Sequence, residues 1–271
     1  MLYKLGVIGF GNIAKAIINP LLENNFLQPE EVFCVVNSRK SFENIKSTYK
    51  FNVNIFESSA EESQLVWDCP FKLLSIKPQQ LKYIKEVEKK INSKNVIISI
   101  LAGVNLKTLE NKFPNHNCIR CITNIPITIN KGLTGISWGK DISESQQIFT
   151  RNLFKKSSII YELSEEYLDI FLALTSSAPA IIALIIDSMS DGGLTGGLSK
   201  ELSEKLVLEM ISGTISLIKE SDISPLELRN MVTSPGGTTI SALRVLEEKS
   251  FRSALIESIM AARDKSKEFS L

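Results

Sequence analysis

Histidine is almost absent from this chain, which has one histidine in 271 residues. It is His116, within the polar stretch Asn115-His116-Asn117 that follows Pro114, and this stretch predicts a solvated loop. Hydrolysis by a Ser-His-Asp or Cys-His arrangement would have to use this poorly placed imidazole. Any reaction assigned to the chain should therefore work without a histidine.

Cysteines are also few, with four in the chain. Cys118 and Cys121 form a C-x-x-C, but no second Cys/His pair lies at the spacing of a structural zinc site. The run around them is strand-like, and residues an odd number apart on a strand face opposite sides. We therefore predict no metal site and four free thiols in a reducing cytoplasm.

Neither an excess of charge nor a targeting segment is evident. The formal net charge is +1, which gives no reason to expect nucleic acid or an anionic membrane as a partner. Met1–Lys4 leads directly into an apolar stretch without the basic region and cleavage site of a secretory signal. The uncharged run Ile170–Ile186 contains Pro179 and is shorter than the ~20 residues of a spanning helix. A cytoplasmic protein is expected.

The first half of the chain alternates short apolar runs with amphipathic or polar segments. Strands that alternate with helices predict βαβ units and a parallel sheet, hence an α/β fold. We predict strands at Leu5–Ile8, Val32–Val36, Phe71–Ile76 and Val96–Ile100, helices at Ile13–Glu23, Ser41–Tyr49 and Leu81–Ile91, and further strands at the sheet edge at Cys118–Ile122 and Gly132–Trp138.

The pattern becomes purely helical after about Tyr161. The run Leu168–Met189 is apolar nearly all round, which predicts a helix buried on every side, with a kink or break at Pro179. A small helical domain would expose such a helix unless another subunit covered it. We therefore predict two domains, 1–161 and 162–271, and an oligomer built by the second. Breaks are expected at Gly192-Gly193, Gly196-Gly197, Pro225 and Pro235-Gly236-Gly237.

A glycine motif lies between the first predicted strand and the first predicted helix. Gly9-Phe10-Gly11-Asn12-Ile13-Ala14 has the G-x-G-x-x-A spacing of the dinucleotide fingerprint in the context that it requires. The first glycine permits a tight turn, the second lets the pyrophosphate approach the backbone, and the small alanine allows close packing of helix on strand. We predict that Gly9, Gly11, Asn12 and Ile13 bind the cofactor at the helix N-terminus.

The end of the second strand indicates which nucleotide is bound. NAD enzymes usually carry an Asp or Glu here for the ribose 2′-hydroxyl, but this chain has Asn37-Ser38-Arg39-Lys40. Cations with amide and hydroxyl groups suit a 2′-phosphate. The segment therefore predicts NADPH as cofactor, with NADH as the alternative, and Asn37, Ser38 and Arg39 as its contacts.

Hydroxyl and glycine residues cluster at Thr233-Ser234-Pro235-Gly236-Gly237-Thr238-Thr239, before the helical run Ile240–Lys249. Such a turn exposes backbone N–H groups at a helix start, which suits a carboxylate. The hydroxyls can donate to or accept from a small polar substrate. An ordinary N-cap turn, with Ser234 or Thr238 as the cap, is the alternative, but it explains one hydroxyl and not the whole run.

The stretch Val232–Glu247 resembles the signature of pyrroline-5-carboxylate reductases. The resemblance extends in order along nearly the whole chain, through the opening glycine motif and four shorter motifs. These are Lys77-Pro78-Gln79, Ala102-Gly103-Val104, Asp191-Gly192-Gly193 and Gly197-Leu198.

This resemblance implies a Rossmann-like dinucleotide-binding domain, an all-α dimerisation domain in a homodimer or higher homo-oligomer, and reduction of the small imine 1-pyrroline-5-carboxylate to proline. It implies that Thr239 bonds the ring nitrogen as the catalytic hydroxyl. The backbone amides of the turn would hold the substrate carboxylate near Ser234, Gly237 and Thr238. Lys77 and Pro78 match residues that line the nicotinamide side.

Two segments depart from the family pattern. Ile122–Ile127 replaces M-P-N-T-P-A, and Thr175–Ile181 replaces S-G-S-G-P-A-Y with the loss of two glycines and the aromatic residue. These changes keep two alternatives open: a reductase of another cyclic imine, and a catalytically weak paralogue that binds nucleotide.

Overall fold

The computed structural model describes residues 4–85 and 95–268. Its strands form one sheet in the order β3-β2-β1-β4-β5-β6-β7-β8. All neighbouring strands are parallel except β6 and β7, which are antiparallel. The strands are β1 Leu5–Ile8, β2 Val32–Val36, β3 Asn54–Glu57, β4 Phe71–Leu74, β5 Asn95–Ser99, β6 His116–Thr123, β7 Gly132–Trp138 and β8 Ser158–Glu162.

Helices follow most of the strands. The α-helices are α1 Asn12–Glu23, α2 Arg39–Thr48, α3 Leu106–Lys112, α4 Glu144–Phe154, α5 Leu168–Leu172, α6 Ala178–Thr195, α7 Lys200–Ser221, α8 Pro225–Met231, α9 Thr238–Glu248 and α10 Phe251–Glu268. Short 3-10 helices lie at Pro29–Glu31, Glu61–Asp68, Pro78–Tyr83, Ile125–Ile129 and Glu165–Tyr167, and a π-helical turn lies at Ala173–Ser177.

The sheet has an apolar core on each face, which is why its central strands are continuous apolar runs. β1 and β2 are buried at every position. Val7 belongs to the core under α1 and α2, and its neighbour Ile8 belongs to the core on the other face. Cys118 and Cys121 likewise lie in different cores. This confirms the prediction that the C-x-x-C thiols face opposite sides. All four cysteines are buried, and none of them forms a disulfide.

The chain divides into two compact units. The first comprises the described residues up to Ser176 and those from Ala262, and the second comprises Ser177–Ala261. In the first unit the buried Arg120 forms ion pairs with Asp169 at 2.8 Å and with Glu165 at 3.4 Å. Ser266 donates to the same Asp169 carboxylate at 2.9 Å. The predicted boundary between residues 161 and 162 stays a prediction.

In the second unit, α6 packs against α7. A Cβ on Gly193 would lie 2.5 Å from Ser203 Oγ, so this glycine permits the close approach of the two helices. The predicted break at Gly192-Gly193 was wrong, because α6 continues through both glycines to Thr195. Gly193 allows close helix packing and does not end the helix. The breaks at Gly196-Gly197, Pro225 and Pro235–Gly237 are confirmed by the helix ends.

Three further expectations are corrected by the structure. His116 is not a solvated loop residue but the first residue of β6, 7% exposed beside Trp67. β6 and β7 are not at the sheet edge, because the additional strand β8 pairs with β7. Of the helix predicted at Leu81–Ile91, the first residues form 3-10 helix and residues 86–91 lie outside the described residues.

The apolar run near Pro179 is helical, with the π-helical turn Ala173–Ser177 directly before α6. The predicted break at Pro179 does not occur, because the proline lies in the first turn of α6, where it is tolerated. The alternative of a kink stays a prediction. The expectation that this helix is buried on every side is not met within a single chain, where Leu184 is 66% exposed. By length and composition alone, Glu165–Thr195 could cross a membrane, but helices of soluble proteins also pass that test.

Candidate active site

A cavity of about 1160 Å³ lies at the carboxyl ends of β1, β2, β4, β5 and β6. It exceeds the ~300–1,000 Å³ that is usual for small-ligand sites. In an open α/β sheet, ligands bind outside the carboxyl ends of the strands, where the strand order reverses direction. The reversal here is between β1 and β4, and both strand ends line the cavity.

The fingerprint turn forms one wall of this cavity. Gly9 has a φ of +89°, and a Cβ there would lie 2.5 Å from the Ser75 carbonyl oxygen, so only glycine fits. A Cβ on Gly11, the N-cap of α1, would meet nothing within 4 Å, so its backbone is open to a ligand. Gly11, Asn12 and Ile13 all line the cavity. The turn therefore fits a dinucleotide pyrophosphate.

The charge of the cavity lining also suits phosphate groups. Lys15, Lys77 and Lys85 line it, and no carboxylate does among the described residues. A carboxylate that would bond a ribose 2′-hydroxyl is thus absent from the described lining, in agreement with the sequence after β2. Lys15 was not predicted from the sequence. It lies one helical turn beyond Gly11 on α1, and that spacing could have identified it.

The predicted nucleotide-selecting residues occupy different positions at the end of β2. Asn37 lines the cavity. Ser38 instead caps α2, accepting from the backbone N–H of Ser41 at 3.2 Å. Arg39 pairs with Glu43 at 2.7 Å, and Ser41, which the sequence did not single out, lines the cavity in their place.

After β4, only one of the two predicted residues, Lys77 and Pro78, lines the cavity. Lys77 lines the cavity, whereas Pro78 begins a 3-10 helix and is not part of the lining. The backbone N–H of Lys77 donates to Gln80 Oε1 at 3.0 Å, which fixes the start of that helix. The lysine is therefore better placed than the proline for contact with a ligand.

The end of β6 is fixed by hydrogen bonds to the π-helical turn. Buried Asn124 donates to the Thr175 carbonyl at 3.1 Å and accepts from the Leu133 N–H at 2.8 Å. Ser176 Oγ donates to the Thr123 carbonyl at 3.0 Å. Thr123 and Ile125 line the cavity. The π-helical turn, a feature frequent at functional sites, thus holds two residues of the lining in place.

The turn Ser234–Thr239 lies in the second compact unit and extends from the loop after α8 into the first turn of α9. Gly236 has a φ of +69°, and Gly237 is the N-cap of α9 without any side-chain cap. The alternative in which Ser234 or Thr238 caps the helix is therefore wrong. The first N–H groups of α9 have no capping side chain, an arrangement suited to a carboxylate. Thr238 is exposed and Thr239 half-buried.

The fold and the cavity together define a dinucleotide-dependent oxidoreductase of the Rossmann type. Residues 4–103 match the family described as NADP oxidoreductase, coenzyme F420-dependent, and residues 165–269 match the family described as pyrroline-5-carboxylate reductase dimerisation. The chain is 34% identical to the pyrroline-5-carboxylate reductase of Synechocystis over 99% of this chain and 98% of that protein. It is 30% identical to that of Arabidopsis thaliana over 99% of this chain and 96% of the relative.

Solved structures agree with these relatives. The pyrroline carboxylate reductase of Plasmodium falciparum, solved with NADP bound, is similar with a TM-score of 0.84 at 28% identity, covering 99% of this chain and 98% of that one. This chain belongs to the pyrroline-5-carboxylate reductase family.

Proposed function

We propose that this protein is an NAD(P)H-dependent pyrroline-5-carboxylate reductase, which reduces the C=N bond of 1-pyrroline-5-carboxylate to give L-proline, the last step of proline biosynthesis. The observation that carries the proposal is similarity to proteins of that name over 99% of this chain. The cavity agrees with it, because the described part of its lining has a glycine turn and three lysines but no carboxylate, which suits NADPH. NADH is the alternative cofactor.

The residues that we propose to bind the cofactor lie after the ends of β1, β2 and β4. Gly9, Gly11, Asn12 and Ile13 would hold the pyrophosphate at the start of α1. Asn37, Ser38 and Arg39 would contact the adenosine phosphate, and Lys77 and Pro78 the nicotinamide side. Asn37 and Lys77 have the strongest support, because both line the cavity. Arg39 would have to leave Glu43, an exposed ion pair of the kind that contributes little.

The substrate residues lie in the turn before α9. The uncapped N–H groups at Gly237 and Thr238 would bind the carboxylate, with Ser234 beside them. Bound NADPH supplies the hydride for the C=N carbon. Thr239 would donate its hydroxyl to the ring nitrogen, which gains electron density as the bond is reduced. An imine that arrives protonated needs no strong acid, so the mechanism works without a histidine.

The assembly is proposed as a homodimer or a higher homo-oligomer in the cytoplasm, acting on a small-molecule imine without nucleic acid or membrane. The apolar side chains that the second unit exposes support this. We keep the functional boundary at residues 161 and 162, with the dinucleotide-binding domain before it and the helical dimerisation and substrate domain after it.

One assay tests this proposal. Purified protein should oxidise NADPH in the presence of 1-pyrroline-5-carboxylate and release proline in equal amount. A panel of other cyclic imines should be reduced more slowly. Faster turnover of another imine would identify that imine as the substrate. Binding of NADPH without turnover of any imine would favour a nucleotide-binding paralogue.

A further inference from the structure

Tyr83 is the most exposed of the large apolar or aromatic side chains that line the cavity, with 71% of its surface accessible. It is the last residue of the 3-10 helix Pro78–Tyr83 that follows β4. Lys82 Nζ lies 4.9 Å from the centroid of its ring. A cation at that distance attracts the ring electrostatically and helps to fix its orientation. The ring is therefore held at the cavity wall with much of its surface accessible.

The sheet order indicates where each half of a dinucleotide lies in the cavity. The fingerprint at the end of β1 places the pyrophosphate in the middle of the cavity. The adenosine half then lies toward β2, where Asn37 lines the cavity, and the nicotinamide half lies toward β5 and β6, where Ile100 and Thr123 line it.

Two walls bound the adenosine half. On one face of the sheet, α2 contributes Asn44 to the lining, next to the core that contains Ile45. On the other face, Ile84 lines the cavity and packs against the core that contains Val35 and Val66. Tyr83, the residue before Ile84, lines the cavity as well. A flat base entering between the walls would meet the aromatic ring.

We propose that Tyr83 stacks on the adenine ring of the bound dinucleotide. Adenine has a flat π-face on which a tyrosine ring can stack, and aromatic side chains recur as stacking platforms for bases. A stack on the base does not involve the 2′-position of the ribose. Tyr83 therefore contributes equally to NADPH and NADH, in contrast to a residue that contacts the 2′-phosphate. This inference rests on the proposed function only in taking a nicotinamide dinucleotide as the ligand.

Equilibrium binding to the full-length protein tests the stack. Trp67 lines the same cavity, so its fluorescence reports binding without any need for turnover. Tyr83→Ala should raise the Kd of both NADPH and NADH by about 5- to 150-fold, the range measured for loss of a base stack. Binding of reduced nicotinamide mononucleotide, which lacks the adenine, should be unchanged.

Three further variants separate stacking from other causes. Tyr83→Phe keeps the ring and should bind both dinucleotides as the wild type does. Tyr83→Leu keeps apolar bulk without a π-face and should resemble Tyr83→Ala. Tyr161→Ala removes a half-exposed tyrosine of β8 that is outside the cavity lining, and should change no Kd.

The outcomes distinguish this inference from the proposed function. If the wild type binds NADPH and Tyr83→Ala binds it equally well, the stacking inference alone is overturned. An equal loss of affinity for reduced nicotinamide mononucleotide also overturns it, because the tyrosine would then act on the other half of the cofactor. If the wild type binds neither dinucleotide, the proposed function is overturned together with the stack.

Discussion

Thr238 and Thr239 are adjacent at the start of α9, yet their surroundings differ, because Thr238 is exposed and Thr239 half-buried. If Thr239 donates to the ring nitrogen as the hydride arrives, Thr239→Val should lower kcat more than it raises KM. Loss of one such donor costs about 10²- to 10³-fold in kcat in a known example. Thr238→Val should have a smaller effect, because its proposed contribution is a backbone amide that valine retains.

Steady-state kinetics of the two valine variants, with folding checked by thermal melting, test the assignment of the catalytic hydroxyl to Thr239. A large loss of kcat in Thr238→Val with a nearly normal Thr239→Val would reverse the assignment. If neither variant differed from the wild type, the hydroxyls of these two threonines would have no catalytic role.

Arg39 is the residue whose predicted role and observed contact differ most. The sequence predicts a 2′-phosphate contact, whereas the structure pairs the guanidinium with Glu43 and places it 5.3 Å from the Phe42 ring centroid. Both partners of the ion pair are exposed, so a phosphate could replace Glu43 at small cost. Arg39→Ala should raise KM for NADPH by about 10- to 150-fold, since hydrogen bonds to charged groups contribute ~1.5–3 kcal/mol. KM for NADH should hardly change.

Lys40→Ala provides the matched control, because it removes the neighbouring exposed cation and leaves Arg39 in place. Equal losses for NADPH and NADH in Arg39→Ala would mean that the arginine does not recognise the 2′-phosphate. Lys15 and Ser41 would then be the residues to test, since both line the cavity.

At the scale of elements, strands buried on both faces were predicted well. β1 and β2 were predicted to the residue, because a run of apolar residues bounded by polar ones marks a central strand without ambiguity. β3 and β8 were missed, since these two edge strands are only partly buried and have no such run. α4 was also missed, although the capping box of Ser143 and Gln146 was a signal for its start.

The candidate site was predicted only in part, because only some of its residues belong to local sequence motifs. Gly9–Ile13 and Asn37 belong to motifs with local spacing rules, and the structure places them in one cavity. Ser41 and Tyr83 come together there only through the folding of the sheet. Their sequence positions alone do not distinguish them from other surface residues.

The burial of β6 has a measurable consequence for pH dependence. Burial, with a smaller contribution from the charge of Lys72, lowers the pKa of His116 from 6.5 to about 4. The folded protein therefore keeps this histidine neutral, and the unfolded chain binds a proton more readily. The contribution of the neutral His116 imidazole to the free energy of unfolding is fully present above pH 6.5. It is lost as the pH falls from 6.5 toward 4. At ~1.4 kcal/mol per pKa unit, the loss approaches about 3 kcal/mol.

His116→Phe keeps an aromatic ring beside Trp67 and removes the titration. Urea unfolding at fixed protein concentration, across this pH range, should give a free energy of unfolding that falls more steeply for the wild type than for the variant. Parallel curves would mean that His116 titrates normally in the folded protein.

At the scale of the whole molecule, the two units differ in what they expose. The first unit covers its sheet on both faces with two apolar cores. The second exposes large apolar side chains along most of its helices, and soluble monomers rarely expose so much apolar surface. Members of this set are Ile182, Leu184, Leu206, Leu208, Ile215, Leu217, Val245 and Ile256. Burial against a second copy would cover them and also explain the apolar composition of α6.

We therefore expect at least a dimer at micromolar concentration by light scattering, with an interface in the 2,000–5,000 Å² class of obligate assemblies. Leu184→Glu should shift the protein toward monomer, because an unpaired charge buried in an apolar interface costs several kcal/mol and a two-fold axis introduces it twice.

Ile159→Glu is the matched control: Ile159 is 62% exposed, against 66% for Leu184, but lies on β8 in the first unit. It should leave the assembly intact. A monomeric wild type would refute the assembly, and dissociation caused by Ile159→Glu alone would move the interface to the sheet edge, where β8 is the outermost of the described strands.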